Sequence, residues 1–449
     1  MPKLFGTFGI RGVANEDLTP QLALELGLAL AVHLRGSGRI AVGRDNRTSG
    51  MMIEHALIAG LTAGGCQALK LGLIPTPVLS FATKHFSCDA GVMITASHNP
   101  PEYNGIKFWD SEGAGFQRRQ ETEIERIVSK ISNMTNWRDI GRVKESETIV
   151  PYTEALRKRV PKFRRRPRVV VDCANAVGNL VTPHLLGELG CDVISMNSQL
   201  DGTFPGRKLE TVPENLGELA KTVVNSRADL GIAHDGDADR TIIVDERGGI
   251  LSGDRVFALV ALHYLHGRRH PMILTTVATS SVLDDVASKL KGKVVRTRVG
   301  EPELIEEFRN GGGHIGGEEN GGVIFPDWLL CRDGIMTAAQ FIEALDRANM
   351  KTSELNLTLP TYSQIKLRIK CPNELKKKIL KNIGQKFSDY RLDRTDGLRV
   401  NFDDGWLLLR PSGTEPIFRC FAEAVSEERA KELGKLGMKE LRAAVRKFK

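Results

Sequence analysis

Short runs of β-branched and other apolar residues alternate, along most of the chain, with longer stretches whose apolar positions recur at helical spacing. In the first such region, residues 39–43 (RIAVG) predict a strand, residues 49–65 predict a helix, and residues 89–97 (DAGVMITAS) predict a second strand. Strands that alternate with helices in this way are typical of β-α-β units with mostly parallel sheets. The pattern therefore predicts an α/β fold.

The same alternation begins again twice. Residues 167–172 (PRVVVD) and residues 271–277 (PMILTTV) each predict a strand that starts a new series of helices and strands. In all three regions a polar, glycine-rich motif follows the end of a strand, which is the edge where open α/β sheets bind ligands. Three such units could direct their loops at one cleft.

The C-terminal part of the chain has a different pattern. From residue 359 onward, alternating strands such as QIKLRIK are mixed with predicted helices at 376–388 and 427–447, which indicates a separate α+β domain. We therefore expect three similar α/β domains with mixed or parallel sheets, plus a C-terminal α+β domain, around a central cleft. The predicted domains are residues 1–150, 151–250, 251–358 and 359–449.

Length and composition agree with this division. A chain of 449 residues is too long for a single hydrophobic core, and 41% hydrophobic with 26% charged residues is typical of an ordered globular protein. No apolar run is long enough to span a membrane, and the N-terminus lacks a secretory signal, so we expect a cytoplasmic protein without a membrane partner. Seven cysteines without a CxxC pair argue against a disulfide framework or a structural zinc site.

The net charge of +8 is compatible either with nucleic acid or with a small anionic ligand. The densest basic cluster, residues 162–168 (KFRRRPR), precedes a predicted strand without an aromatic ladder, and we interpret it as a solvated linker. We therefore expect a small phosphorylated substrate and no nucleic-acid partner, and the sequence leaves open whether the protein forms a homo-oligomer.

The first candidate site is the serine in TASHNPPEYNGIK (95–107), directly after the apolar run AGVMI. Its hydroxyl, on Ser97, could carry a phosphoryl group, with His98 and Lys107 stabilising the negative charge. Neighbouring side chains on an extended chain face opposite ways, so we do not expect His98 to act as a base on Ser97. The alternative is that Ser97 merely shapes a turn before two prolines.

The second candidate site is DGDADR (235–240), which follows the apolar run LGIA. Asp235, Asp237 and Asp239 have the spacing at which alternate side chains of an extended segment converge on one hard cation. An EF-hand calcium loop has similar spacing, but it needs glycine where Arg240 stands, and helices on both sides. We favour Mg²⁺ shared with a substrate phosphate, which Arg240 could also bind.

Two further motifs follow predicted strands. GEENGG (317–322) offers carboxylate and amide groups for sugar hydroxyls, and RPSGTEP (410–416) offers a guanidinium, hydroxyls and backbone N–H groups for a phosphate. Near the N-terminus an arginine stands between glycines in GTFGIRG, and we interpret GRDNRTSG (43–50) as the start of a helix. The candidate binding residues in these motifs are Glu318, Asn320, Arg410, Ser412, Gly413, Thr414, Arg419 and Arg11.

TASHNP, DGDADR, GEENGG and RPSGTEP, in this order along the whole chain, resemble the α-D-phosphohexomutase family. In that family they correspond to the phosphoserine, metal, sugar and phosphate loops. The resemblance implies four domains around a cleft, with Ser97 phosphorylated in the resting enzyme and Mg²⁺ held by this phosphoserine and the three aspartates. It also implies isomerase activity, in which a hexose 1-phosphate and 6-phosphate interconvert through a bound bisphosphate. Arg11, His98 and Lys107 match family positions near the transferring phosphate.

The resemblance also bears on the sugar. FGTFGIRG and RPSGTEP resemble the branch of the family that acts on glucosamine phosphates, and Glu301 matches an acidic residue of that branch, where it could recognise an ammonium at C2. GEENGG departs from the bacterial loop, since Asn320 stands where serine is common, and it resembles archaeal members. We therefore expect glucosamine phosphates as substrates, with glucose and mannose phosphates as the alternative.

Two rival classes of function are compatible with the same residues. A metal-dependent sugar phosphatase would use the same serine and cation but release phosphate to water. A sugar-phosphate or calcium-binding module would have no turnover at all. The alternatives are distinguished by isomer exchange, which only a mutase performs.

Overall fold

The computed structural model describes residues 4–6, 9–130, 134–413 and 415–448. The described residues form four sheets, which follow one another along the chain and define four domains. The α/β architecture expected from the sequence is therefore confirmed. None of the helices within these described ranges is both long enough and apolar enough to cross a lipid bilayer.

The first domain contains a mixed sheet with strand order β1-β5-β4-β2-β3-β6. Strands β2, β3, β4 and β6 run parallel, whereas β1 and β5 join antiparallel at one edge. Its elements are β1 (Ile10–Val13), α1 (Pro20–His33), β2 (Arg39–Arg44), α2 (Gly50–Ala63), β3 (Gln67–Leu73), α3 (Thr76–His85), β4 (Ala90–Ile94), β5 (Tyr103–Asp110), α4 (Arg118–Val128) and β6 (Val143–Glu145).

The second domain has the strand order β10-β9-β7-β8, with only β10 antiparallel to its neighbour. The helix expected near 177–189 is divided into a short 3₁₀ turn, Val177–Leu180, and an α-helix with a proline in its first turn. The other elements are α5 (Ile149–Arg157), β7 (Arg168–Asp172), α6 (Thr182–Glu188), β8 (Asp192–Met196), a 3₁₀ turn (Pro213–Asn215), α7 (Gly217–Asn225), β9 (Leu230–His234) and β10 (Thr241–Asp245).

The third domain has the order β12-β11-β13-β14-β15, parallel over the first three strands and antiparallel over the last three. Its elements are α8 (Gly253–Tyr264), β11 (Met272–Thr276), α9 (Val282–Lys289), β12 (Lys293–Thr297), α10 (Glu301–Gly311), β13 (Ile315–Gly317), β14 (Val323–Phe325), β15 (Leu329–Arg332), α11 (Gly334–Ala348) and α12 (Thr352–Asn356).

The fourth domain is antiparallel throughout, with the order β16-β20-β19-β18-β17 and two helices packed on the sheet. This agrees with the separate α+β domain expected from the sequence. Its elements are β16 (Ser363–Lys370), a 3₁₀ turn (Asn373–Leu375), α13 (Lys376–Lys386), β17 (Arg391–Asp393), β18 (Leu398–Phe402), β19 (Gly405–Pro411), β20 (Ile417–Ala424) and α14 (Glu427–Phe448).

The first three domains share a continuous hydrophobic core, whereas the fourth domain has a core of its own. A small apolar cluster around Trp406 and Val277 joins the third and fourth domains. Beside it, Glu423 of β20 accepts a hydrogen bond from the backbone N–H of Ser281, just before α9, at 2.8 Å. The fourth domain therefore has a core separate from that of the other three and contacts the third domain through this small cluster.

A buried carboxyl at this contact predicts a pH effect on stability. Burial raises the pKa of Asp254 to about 7, although Lys366 opposes the shift. Because the folded state binds this proton more tightly than the unfolded chain does, Asp254 lowers stability progressively as the pH rises from about 4 to about 7. We expect Asp254→Asn to be more stable than wild type at about pH 8.5, by roughly 2–4 kcal/mol, and to lose this advantage at acid pH.

Thermal unfolding midpoints at both pH values test this prediction. Asp389→Asn, at an exposed position of the fourth domain, is the control substitution of the same type. A difference between Asp254→Asn and wild type that does not grow with pH would contradict the prediction.

Candidate active site

Ser97 lies in the loop after β4, at the C-terminal edge of the first sheet, and its side chain is fully buried. Its Oγ donates a hydrogen bond of 2.7 Å to Asp235 Oδ2, although the two residues are 138 positions apart in the chain. Its backbone N–H donates to Thr95 Oγ1 at 2.9 Å. The fold therefore brings the esterifiable hydroxyl directly against the acidic motif of the second domain.

The expectation that His98 faces away from Ser97 is wrong. Ser97 has a left-handed backbone conformation, with φ of +52°, so the chain turns at this residue instead of continuing extended. As a result, Ser97 Oγ lies 3.3 Å from His98 Nδ1, while His98 Nε2 lies 3.1 Å from Glu210. Burial and the positive charges of Arg240 and Arg11 lower the pKa of His98 to about 2, so the imidazole is neutral at neutral pH.

Asp235, Asp237 and Asp239 occupy the turn between the antiparallel strands β9 and β10, and all three are fully buried. Each offers a carboxylate oxygen within 4.8 Å of the other two. The strands on both sides exclude the EF-hand alternative, which needs helices. A Cβ at Gly236 would lie 2.5 Å from the backbone oxygen of Ser97, so glycine permits the close approach of the two loops.

The donor set fits a hard divalent cation. Asp237 Oδ1 and Asp239 Oδ1 are buried and accept no hydrogen bond from any residue within the described ranges. Unpartnered buried carboxylate oxygens are costly unless a cation compensates them, and three oxygens that converge suit Mg²⁺. The residues present therefore fit the Mg²⁺ expected from the sequence.

The three carboxyls differ in protonation. Burial, with the like charges of Asp239 and Asp237, raises the pKa of Asp235. Burial also acts to raise the pKa of Asp237, but Lys107 and Thr76 outweigh it and hold that pKa below its usual value. Asp237 is therefore ionised, and a bound cation would favour ionisation of Asp235 as well.

Basic side chains surround these carboxylates. Lys107, on β5, is fully buried and its Nζ lies 3.0 Å from Asp237 Oδ2. Arg240 Nε lies 3.8 Å from Asp235 and 3.7 Å from Asp239. Arg11, on β1, donates to Asn99 Oδ1 at 3.0 Å, in the loop that follows Ser97. This concentration of positive charge around Ser97 Oγ suits a phosphoryl group.

The sugar loop joins β13 to β14, and Glu318 within it is buried. Glu318 Oε2 lies 3.0 Å from Arg332 Nη1, and Glu301, at the start of α10, reaches the same guanidinium with Oε2 2.9 Å from Nε. Asn320 is half-buried, and its Oδ1 accepts a hydrogen bond from the backbone N–H of Gly322 at 3.0 Å. Glu301 and Glu318 therefore share one cationic partner with the metal loop, since Arg332 also contacts Asp239.

The phosphate loop of the fourth domain lies between β19 and β20. Arg410 Nε lies 2.6 Å from Asp396, and Arg419 Nη2 lies 3.3 Å from Glu415. Lys376 donates to the backbone oxygen of Ser412 at 2.6 Å. A Cβ at Gly413 would meet open space, and Thr414 lies outside the described residues.

Several residues of the site escaped the sequence prediction. Arg47 is buried and donates to the backbone oxygens of Ser97 and Asn99, at 2.9 and 2.7 Å, and to those of two further residues of the same loop. Asp45 holds both Arg47 and Thr95. The segment 43–50 (GRDNRTSG) therefore stabilises the serine loop through these hydrogen bonds, in addition to preceding α2. The others are Thr76, which donates to Asp237; Glu210, which contacts His98 and Arg240; and Arg332.

A four-domain α/β fold with a buried serine against an acidic triplet is the architecture of the α-D-phosphohexomutases. Family models described as phosphoglucomutase/phosphomannomutase alpha/beta/alpha domains I, II and III match residues 2–135, 150–249 and 252–362, and the model of the C-terminal domain matches residues 367–435. The chain belongs to this family. It is therefore a phosphohexomutase, which is an isomerase.

Full-length relatives agree with this assignment. The chain is 46% identical to a phosphoglucomutase/phosphomannomutase of Thermococcus kodakarensis, over 99% of this chain and 100% of the relative. It is 45% identical to a probable phosphoglucosamine mutase of Methanopyrus kandleri, over 96% of each. Among solved structures, a phosphoglucomutase/phosphomannomutase family protein of Burkholderia thailandensis superposes with a TM-score of 0.90 at 28% identity, covering 98% of this chain and 97% of that one.

Proposed function

We propose that the protein is a phosphoglucosamine mutase, which interconverts glucosamine 6-phosphate and glucosamine 1-phosphate through a phosphorylated Ser97. The observation that carries the proposal is the 2.7 Å contact between Ser97 Oγ and Asp235, at the edge of three carboxylates that can hold one cation. A serine in this position has little use in a binding module, since its hydroxyl is buried against the cation site.

In the forward step the phosphoryl group leaves Ser97 Oγ and bonds to the free hydroxyl of a hexosamine monophosphate. The P–O bond to serine breaks as the P–O bond to the sugar forms, and the hydroxyl proton of the sugar replaces the phosphoryl group on Ser97. The product is a bound bisphosphate. After it reorients, the second phosphate returns to Ser97 and the isomeric monophosphate leaves.

The side chains around Ser97 have separate roles in this step. Lys107, Arg240 and Arg11 supply fixed positive charge where the phosphoryl oxygens pass, and fixed charge in a buried site is effective because it needs no reorganisation. Neutral His98 places its Nδ1 3.3 Å from Ser97 Oγ and its Nε2 3.1 Å from the Glu210 carboxylate, so the ring lies beside the serine without adding positive charge. Asp235, Asp237 and Asp239 would hold Mg²⁺, which when bound stabilises negative charge on the phosphoryl oxygens.

The fourth domain completes the site in this proposal. Arg410, Ser412, Gly413 and Thr414 would anchor the phosphate that is not being transferred, and Arg419 could add a second guanidinium. In this proposal the fourth domain closes on the bound substrate, which brings its phosphate loop against the phosphate that is not transferred. Closure would also exclude water, which would otherwise hydrolyse the phosphoserine.

Glu301 supports the choice of sugar. It is 2% exposed, and its Oε1 accepts no hydrogen bond from the described part of the chain, so it can receive one from an ammonium at C2. Names of relatives point the same way, since Methanopyrus kandleri has a probable phosphoglucosamine mutase at 45% identity. The alternative, an enzyme for glucose and mannose phosphates with relaxed sugar choice, is favoured by the name of the Thermococcus kodakarensis relative.

Turnover on glucosamine, glucose and mannose 1-phosphates, with a catalytic amount of bisphosphate as primer, tests the proposal. We expect the highest kcat/KM on the glucosamine compound, and in Glu301→Gln a reduction about 10–100-fold larger on this substrate than on the other two, because a charged hydrogen bond to the ammonium is lost. The matched control, Glu306→Gln, changes an exposed residue of the same helix. Equal or higher kcat/KM on glucose or mannose phosphate would favour the alternative.

The same assay distinguishes a mutase from the alternative sugar phosphatase. A mutase conserves ester phosphate, so the release of inorganic phosphate is expected to remain a small fraction of isomer exchange. Steady phosphate release without isomer exchange would contradict the proposed mechanism.

A further inference from the structure

Arg332 is a buried side chain that contacts carboxylates from three separate parts of the chain. It is 5% exposed and lies at the end of β15. Its Nη2 donates to Asp239 Oδ2 at 2.6 Å, its Nη1 donates to Glu318 Oε2 at 3.0 Å, and its Nε lies 2.9 Å from Glu301 Oε2. One guanidinium therefore connects the metal loop with the sugar loop and with the start of α10.

Arg332 approaches one oxygen of each carboxylate, by hydrogen bonds to Asp239 and Glu318 and by an ion pair to Glu301 in which Nε makes no hydrogen bond to the described residues. Asp239 Oδ1 and Glu301 Oε1 are buried and receive no hydrogen bond from the residues that the structure describes. The two oxygens of Asp237 differ in the same way. Thr76 and Lys107 both donate to Oδ2, whereas Oδ1 receives no hydrogen bond from the residues that the structure describes. A carboxylate that is fixed through one oxygen presents the other in a defined direction, which is the arrangement that a cation or a sugar donor requires.

The residue that follows Arg332 is fixed by several hydrogen bonds. Asp333 caps α11 by accepting from Met336 N at 2.8 Å, and also accepts from Tyr152 and Trp328. Space for the side chain is provided by the sugar loop, since a Cβ at Gly322 would lie 2.3 Å from Arg332 Cδ. Gly322 has no positive φ, so its conformation does not require glycine, whereas the passage of Arg332 does.

We propose that Arg332 is a positioning residue. It fixes the metal loop relative to the sugar loop by orienting Asp239 together with Glu301 and Glu318. The inference rests on the proposed roles of these carboxylates and adds a residue that couples them. A lysine would not suffice, because a single ammonium cannot reach three carboxylates that approach a guanidinium from different sides. Loss of the guanidinium should therefore weaken cation binding and sugar binding together.

Two measurements on Arg332→Lys and Arg332→Gln test the coupling. The first is binding of Mn²⁺ by calorimetry without sugar phosphate, and the second is KM and kcat for the sugar phosphate at saturating Mg²⁺. We expect Mn²⁺ affinity to fall about 10–100-fold, as for other residues that orient metal ligands, and KM to rise by a similar factor in both variants. The matched control is Arg296→Lys, whose guanidinium pairs with Asp284 away from these loops and should leave both quantities unchanged.

Gly322→Ala provides a second route if the arginine variants do not fold. Its added methyl group must displace Arg332, so it should shift Mn²⁺ affinity and KM in the same direction. Unchanged Mn²⁺ affinity and KM in Gly322→Ala alone would contradict the proposal. Where Arg332→Gln folds, adding Gly322→Ala to it should change either quantity little, because the group that it displaces is gone. Additive effects of the two substitutions would contradict the proposal.

A folded Arg332 variant with Mn²⁺ affinity and KM both within twofold of wild type would overturn the inference, as would a change in only one of them. Asp237→Asn separates this result from failure of the proposed function. If Asp237→Asn leaves Mn²⁺ affinity intact, the metal assignment itself is wrong, whatever Arg332 does.

Discussion

Ser97→Ala is expected to abolish interconversion of hexose phosphates, with a decrease in kcat of about 10⁴-fold or more, while the protein remains folded. The hydroxyl is the only atom of this side chain that can carry the phosphoryl group, and loss of a catalytic nucleophile is among the largest single effects in enzymes. Its structural role is smaller, because the side chain makes one short hydrogen bond to Asp235 and a longer contact with His98 Nδ1, together worth about 1–3 kcal/mol.

The comparison requires kcat, the thermal unfolding midpoint and the intact mass of each variant. Wild type should carry a phosphoryl adduct after incubation with bisphosphate, and Ser97→Ala should not. Ser195→Ala, at an exposed position of β8, is the control and should match wild type in all three measurements. A Ser97→Ala variant that retains more than a small fraction of wild-type turnover would remove the basis of the proposed mechanism.

The second large effect is expected for Asp237→Asn, which should decrease kcat about 10²–10³-fold and raise the Mg²⁺ concentration needed for half-maximal rate. Asp237 is held ionised by Lys107 and Thr76, and its Oδ1 remains available as a ligand. The amide has the same shape but no charge, so it weakens the binding of a hard cation without opening a cavity, and it removes the negative charge that lies 3.0 Å from Lys107 Nζ.

A Mg²⁺ titration of activity measures this effect, with Asp389→Asn as the exposed control. Calorimetric titration with Mn²⁺ provides a readout independent of turnover, and the affinity should fall in parallel. An unchanged response to both ions, in a folded variant, would show that the three aspartates do not hold the cation.

The four-domain α/β architecture was accessible from the sequence because strand and helix periodicities are local properties. The runs at 39–43, 167–172 and 271–277 correspond to β2, β7 and β11, in three separate sheets. The motifs were accessible for a related reason, since each follows a strand of its own domain. What brings these motifs together is the packing of one domain on another, for which the sequence offers no local pattern.

The residues that the sequence did not reveal act through such non-local contacts. From the sequence, Arg47 is expected only to precede helix α2. The folded structure shows that its guanidinium donates to backbone carbonyl oxygens of the serine loop. Arg332 stands in an ordinary strand end, and its three carboxylate partners are 14, 31 and 93 positions away. The direction of His98 was mispredicted because the left-handed conformation of Ser97 has no signature in the residue type, as serine rarely adopts it.

The most direct test of the account is to locate Mn²⁺ by its anomalous scattering in crystals of the phosphorylated enzyme. We expect one strong peak within about 2.5 Å of carboxylate oxygens from Asp235, Asp237 and Asp239 and of an oxygen of phosphorylated Ser97. A peak at a different set of residues, or an active phosphorylated enzyme whose crystals bind no cation at this turn, would contradict it.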